Sequence, residues 1–263
     1  MLLTIDAGNS NITLGVYDLG REPKLRFRSR LATQRILTSD QLAVELLQVF
    51  RLHQADPAVC RDAVVSCVVT EMTQAIAEAA ELLTGRPPLV LLPGVKTGLN
   101  IRIDNPAQLG SDLTASAVAA KAFYPLPCLV VDLGTATKIS AVDARGDFLG
   151  CTIAAGVNLS LDALSASTSQ LPRISFRAPE RTIGTNTIDS MQSGTVFGAA
   201  CMIDGMCARM ERELGRAASV VATGGLARDI VSNCAREIIY DGELILRGLV
   251  EIYRRNRGLH PAN

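Results

Sequence analysis

Tryptophan is missing from these 263 residues, and histidine occurs only at His53 and His260. Histidine-based acid–base or metal chemistry therefore has almost no candidates. An excess of one charge is missing too: 26 Lys plus Arg balance 26 Asp plus Glu. That argues against a general nucleic-acid binder, which carries a basic surplus, and leaves room only for a local basic patch. No apolar run approaches the ~18 residues of a membrane helix. The N-terminus lacks the basic stretch and long apolar core of a signal peptide, so no membrane partner and a cytoplasmic enzyme are expected. Cys-x-x-Cys spacing is absent among the seven cysteines, and several sit in apolar runs such as Val64-Val65-Ser66-Cys67-Val68-Val69. They read as reduced, buried, small hydrophobes rather than a disulfide framework or a zinc site.

What is present is apolar material for a sizeable core, with 48% hydrophobic and 20% charged residues, in one or two domains. The same turn grammar also appears twice. The chain opens Leu2-Leu3-Thr4-Ile5-Asp6-Ala7-Gly8-Asn9-Ser10-Asn11-Ile12-Thr13, and mid-chain it runs Leu129-Val130-Val131-Asp132-Leu133-Gly134-Thr135-Ala136-Thr137-Lys138. Each copy is an apolar run, Asp-x-Gly, small polar residues, then a second apolar run: strand, tight turn, strand. A single copy is usually an ordinary hairpin. A pair is different, because Asp at a strand end can hold a cation while Gly lets backbone approach an anion. Hydroxyl and amide side chains add donors. Two such turns facing one cleft would clamp the polyphosphate of a nucleotide and its Mg²⁺.

Periodicity fills in the rest. Strands are expected at 2–6, 12–17, 24–30, 62–70 and 89–92 in the first half, with helices at 41–53 and 71–83. Gly110-Ser111 opens a helix over 112–124, with Ser111 as its N-cap. Strands at 128–132, 137–143, 147–154 and 219–223 follow, with helices near 157–167, 188–214, 226–233 and 242–256. Strand and helix alternate as in layered α/β proteins. The halves match in their opening meander, so the reading is an α/β duplicated fold, divided 1–117 and 118–263, around one cleft. The basic stretch Arg254-Arg255-Asn256-Arg257 reads as a solvated helix end.

The pair of turns resembles the actin-like (ribonuclease H-like) ATPase architecture. The finer motifs resemble the type III pantothenate kinase family over nearly the whole chain. They are Asp6-Ala7-Gly8-Asn9-Ser10-Asn11, Asp104-Asn105-Pro106 running into Gly110-Ser111-Asp112, and Asp132-Leu133-Gly134-Thr135-Ala136-Thr137. Gly150-Cys151-Thr152-Ile153-Ala154-Ala155-Gly156, Ile183-Gly184-Thr185-Asn186-Thr187, Met191-Gln192-Ser193-Gly194 and Thr223-Gly224-Gly225-Leu226-Ala227 follow. Each is short; their order and spacing carry the resemblance.

The resemblance implies ATP-dependent phosphorylation of the primary hydroxyl of pantothenate, the first step towards coenzyme A, by a cytoplasmic homodimer that uses Mg²⁺ and a monovalent cation, K⁺ or NH₄⁺. It implies that Asp6, Ala7, Gly8, Asn9, Ser10, Asn11, Ile12 and Thr13 cradle ATP, with Asp6 reaching Mg²⁺ through water or phosphate. Thr135 would contact ATP as well. Asp112 would be the base that accepts the hydroxyl proton, with Gly110, Ser111, Leu113, Ile103 and Thr187 on the substrate side. Asp132 would hold the monovalent cation. The chain departs from the pattern at several of these points. Leu113 stands where the family has Arg, Ile103 where it has Tyr, and Lys138 where Thr is usual; Cys151, Ala155 and Thr185 replace Gly, Pro and Lys. Loss of a charged substrate contact leaves two alternatives open: a different small alcohol as acceptor, or a nucleotide-binding regulatory relative.

Overall fold

A computed structural model describes residues 1–168, 171, 172 and 174–259; His260 lies outside the described residues. Two compact units emerge. Unit one comprises Met1–Leu99, Asn105–Ala122 and the chain from Leu244, and unit two comprises Asn100–Asp104 and Phe123–Glu243. Both are interleaved in sequence, because the last helix returns to the first unit.

Unit one contains β1 (Leu2–Ala7), β2 (Asn11–Asp18), β3 (Lys24–Ala32), α1 (Ser39–Leu52), β4 (Asp62–Cys67), α2 (Thr73–Thr84), β5 (Leu89–Val90) and, later in the chain, α3 (Ser111–Phe123). Unit two contains β6 (Asn100–Ile101), β7 (Cys128–Leu133), β8 (Ala136–Val142), β9 (Asp147–Ala155), α4 (Val157–Ala166), α5 (Thr187–Leu214), β10 (Ser219–Thr223), α6 (Ala227–Val231) and β11 (Ile239–Tyr240). Helix α7 (Leu244–Asn256) closes unit one.

The sheets repeat one plan. The first runs β3-β2-β1-β4-β5 and the second β9-β8-β7-β10-β11, with β6 added beside β9. In each, an antiparallel meander is followed by a parallel strand beside the first meander strand. The expected duplication is therefore present as topology. The two-residue strands β6 and β11 are too short for a period-2 pattern to announce them.

In unit one, Leu3, Ile5 and Leu14 meet Leu46, Phe50 and Ile76 from α1 and α2. The other sheet face packs Leu2, Tyr17 and Val64 against α3 and α7. Helix α3 is buried on every side from Leu113 to Ala120. Its small residues let a neighbouring backbone come close: a Cβ on Gly248 of α7 would run into the Ala115 carbonyl.

Unit two centres on Leu129, Val131, Leu133 and Ile139 under Ile203 and Cys207 of α5. Glu211 in α5 accepts the Ala218 N–H at 3.0 Å and the Arg236 guanidinium at 2.6 Å. Burial pushes its carboxyl up, but those donors outweigh it and hold its pKa below the ordinary 4.5. The unfolded chain therefore takes up this proton more readily. The contribution is complete above the unfolded value and is lost as pH falls through the folded one. Glu211→Gln should melt below the parent at neutral pH, and the gap should close on acidification below about pH 4.5. A gap independent of pH, read by thermal melts, would count against this.

Several expectations are corrected. Cys151 and Cys201 are exposed, although Cys60, Cys128 and Cys207 are buried as expected. Burial pushes the Cys60 thiol up to about 11 and Cys234 up to about 12, so neither is poised as a thiolate. Arg254 is not solvated: it is buried and donates from Nε to the Leu259 carbonyl at 3.1 Å. His53 is structural, stacked on Phe27 at 4.4 Å with Nε2 2.8 Å from Ser29 Oγ.

Candidate active site

Strands β1 and β4 are parallel neighbours, which sets Asp6 opposite Ser66. Ser66 Oγ lies 2.8 Å from Asp6 Oδ1 and 2.9 Å from Ser111 Oγ. With one hydroxyl proton, Ser66 donates to the carboxylate and accepts from Ser111. Ser111 is the first residue of α3, not a cap outside it as the sequence suggested, and its hydroxyl is directed to Ser66 instead. Asp112 follows at once. Its Oδ1 accepts the Leu113 N–H at 2.7 Å, and a Cβ on Gly110 would come 2.7 Å from that oxygen. Residues 6, 66 and 111, far apart in the chain, thus form one hydrogen-bonded run at the ends of β1 and β4 and the start of α3, with Asp112 the next residue of the helix.

The first turn is braced from outside. The Gly8 N–H donates to the Asn11 carbonyl at 2.9 Å. Thr33 Oγ1 donates to the Gly8 carbonyl at 2.7 Å, and Arg35 donates to Asn9 Oδ1 at 3.0 Å. Arg35 also pairs with Glu71 at 2.9 Å. Asn9 and Ser10 are exposed at the tip, Gly8, Asn11 and Thr13 are half-buried, and Ala7 and Ile12 point into the core. Ala7 and Ile12 can therefore offer a ligand only backbone.

In unit two, Gly134 and Thr135 form the exposed tip of the second turn. The Gly156 N–H donates to the Thr135 carbonyl at 3.1 Å, and a Cβ on Gly156 would strike that same carbonyl. Gly224, at φ 103°, lies against the Leu133 backbone in the same way. Gly224 therefore borders the turn at a point where a side chain would meet backbone. Asp132 pairs with Lys138 at 2.7 Å. Thr187 begins α5, with Asn186 rather than Thr187 as the cap that accepts the Asp189 N–H. Thr187 lines a cavity of about 990 Å³ whose walls include Leu161, Leu164, Leu171, Met191 and Met202. Ile103 is half-buried in unit two, and Leu113 in unit one is only 8% exposed. Position 113 thus packs its side chain inward and uses its N–H to hold Asp112.

Ser66, Thr33, Arg35 and the partner of Asp132 escaped sequence reasoning. A serine inside the run Val64-Val65-Ser66 was the one signal available for Ser66, since a buried hydroxyl needs a partner.

The model of the type III pantothenate kinase family matches residues 2–209. The chain belongs to that family. A type III pantothenate kinase of Myxococcus xanthus (strain DK1622) is 42% identical over 256 residues, covering 97% of this chain and 99% of that one. Among solved structures, the activator of the 2-hydroxyisocaproyl-CoA dehydratase from Clostridium difficile with bound ADPNP aligns at TM-score 0.58 and 14% identity, covering 100% of this chain and 98% of that one. An inorganic polyphosphate/ATP-glucomannokinase from Arthrobacter sp. strain KM aligns at TM-score 0.50 and 15% identity, covering 98% and 99%. The fold is that of the actin-like ATPases and sugar kinases. No helix among the described residues is long and apolar enough to cross a membrane.

Proposed function

We propose that this kinase transfers the γ-phosphoryl group of ATP to the primary hydroxyl of pantothenate, the step that opens coenzyme A synthesis. The observation that carries the mechanism is the polar run Asp6–Ser66–Ser111 ending beside Asp112. Phosphoryl transfer needs little covalent help from protein; it needs positioning and charge control. In this reading the turn Asp6–Thr13 orients the phosphates through the N–H groups and side chains of its tip. Asp112 accepts the hydroxyl proton and aims the oxygen in line. The Leu113 N–H orients that carboxylate, and the absence of a side chain at Gly110 leaves room for it. Gly110, Ser111 and Ile103 belong to the substrate side, as does Thr187, whose apolar cavity suits the dimethyl portion of pantothenate. Thr135 contacts ATP.

Asp6 fits a divalent ion. One carboxylate, oriented by a serine hydroxyl, matches Mg²⁺, which keeps several waters and takes few protein ligands. Bound there, the ion would neutralise charge on the transferring phosphoryl group. The loss of the family's Arg at 113 leaves the pantothenate carboxylate to another cation. Arg102, 53% exposed and 3.6 Å from Asp147, is a candidate. A cytoplasmic homodimer completes the proposal; exposed Ile153, Leu159 and Ile188 supply apolar surface for a partner copy.

The test is coupled ADP release from Mg·ATP with and without pantothenate, with the product weighed by mass spectrometry. Pantothenate-dependent release and a phosphopantothenate mass are expected. ATP binding with no release would favour a regulatory protein, and release only with another alcohol would replace the acceptor.

A further inference from the structure

The resemblance assigns a monovalent cation to Asp132, but the chain supplies a cation of its own at that carboxylate. Lys138 stands directly opposite Asp132 in the antiparallel β7–β8 pairing, so the two side chains leave the same face of the sheet. Lys138 Nζ lies 2.7 Å from Asp132 Oδ2, and the side chains are only 16% and 12% exposed. That is the short end of charge-assisted hydrogen bonding, in a place sheltered from screening. The other carboxylate oxygen faces the turn: a Cβ on Gly134 would lie 3.6 Å from Asp132 Oδ1. Asp132 therefore links the lysine head group to the second phosphate turn.

These residues do not fit a resident K⁺ or NH₄⁺ on Asp132. An ion arriving from solution would have to displace an ammonium that is tethered to the neighbouring strand and so present at high effective concentration. The displaced lysine would then keep its charge in a mostly buried position, which disfavours the exchange. Chemically the replacement is close. A lysine head group is a compact point charge with three N–H donors, much like NH₄⁺ itself. The Thr usual at this position would leave the carboxylate without that charge and the space open.

We propose that the Lys138 ammonium takes the place of the soluble monovalent cation, so that this kinase works without K⁺ or NH₄⁺. The proposal rests on the kinase reading above, and the experiment separates the two. ADP release from Mg·ATP and pantothenate is measured in a bulky-cation buffer at constant ionic strength, with K⁺, NH₄⁺ or Na⁺ chloride substituted stepwise. The parent should change less than about twofold across all salts once ionic strength is held. Lys138→Thr should lose roughly tenfold or more in kcat/KM without K⁺, the equivalent of one ordinary interaction, and K⁺ or NH₄⁺ should restore most of it. In parallel thermal melts, K⁺ should raise the melting temperature of Lys138→Thr and not that of the parent. A parent stimulated tenfold by K⁺, or a Lys138→Thr enzyme as active as the parent in every salt, overturns the proposal. If Lys138→Thr does not fold, the parent's salt titration decides alone. If no salt yields pantothenate-dependent ADP release, the kinase reading fails, and the melts still judge the cation: equal K⁺ stabilisation of parent and variant overturns the inference.

Discussion

With Asp112 as the proposed base, Asp112→Asn should lower pantothenate-dependent ADP release by about 10²–10⁴-fold, the usual share of a positioned general base, while ATP binding should persist. The substitution is conservative in shape. The Asn carbonyl oxygen can still accept the Leu113 N–H that Asp112 Oδ1 accepts at 2.7 Å, so the start of α3 is preserved. What disappears is a proton acceptor and one negative charge in the first turn of a helix, where a carboxylate is favoured by the dipole. The loss should therefore fall on kcat, with KM for ATP little changed, because Asp6 and the turn tip are untouched. Nucleotide binding by calorimetry serves as the control. Unchanged turnover with normal binding would remove Asp112 as the base. Equal loss of ATP affinity and turnover would mean that the carboxylate shapes the site rather than reacting in it.

Gly248→Ala should be the most destabilising single methyl in unit one. A Cβ there meets the carbonyl of Ala115, a backbone group inside a helix buried on all sides, which cannot swing away as a side chain would. Overpacking of this kind costs about 1–3 kcal/mol and sometimes more. For a chain of this size that is a fall of roughly 2–12 °C in melting temperature. Activity should fall too, since moving α3 moves Asp112, three residues before Ala115. Gly205→Ala in α5 is the matched control. A Cβ there meets nothing within 4 Å, so the gain of an alanine in a helix, about 0.5–1 kcal/mol, should appear unopposed. A melt within about 1 °C of the parent for Gly248→Ala would show that α7 can retreat at less than the cost of ordinary overpacking.

Much of the fold was legible in the residues. The two Asp-x-Gly turns marked the start of each repeat, and the strand at 219–223 matches β10. Helix ends rest on local chemistry: Gly85 ends α2 in the left-handed region, and Thr38 caps α1 with Gln41 completing the box. Legibility failed where a residue's role depends on a strand neighbour. Ser66 looks like one polar residue in an apolar run; only the parallel pairing of β1 with β4 sets it against Asp6. Lys138 read as a departure from a family motif, and its meaning changed once β8 returned beside β7.

By itself the sequence determined the repeated turns and the alternation of strand and helix, because these follow from spacing and side-chain chemistry; the role of the acidic residues came only with the family resemblance. The tertiary structure alone decided that α7 returns to pack on α3, that Ser66 links Asp6 to Ser111 at the start of α3, and that Asp132 is neutralised from within. The reason is physical. Hydrophobic periodicity says which face of an element must be covered but is silent on which element covers it, and a carboxylate's function is set by whatever cation or donor the packing brings within about 3 Å.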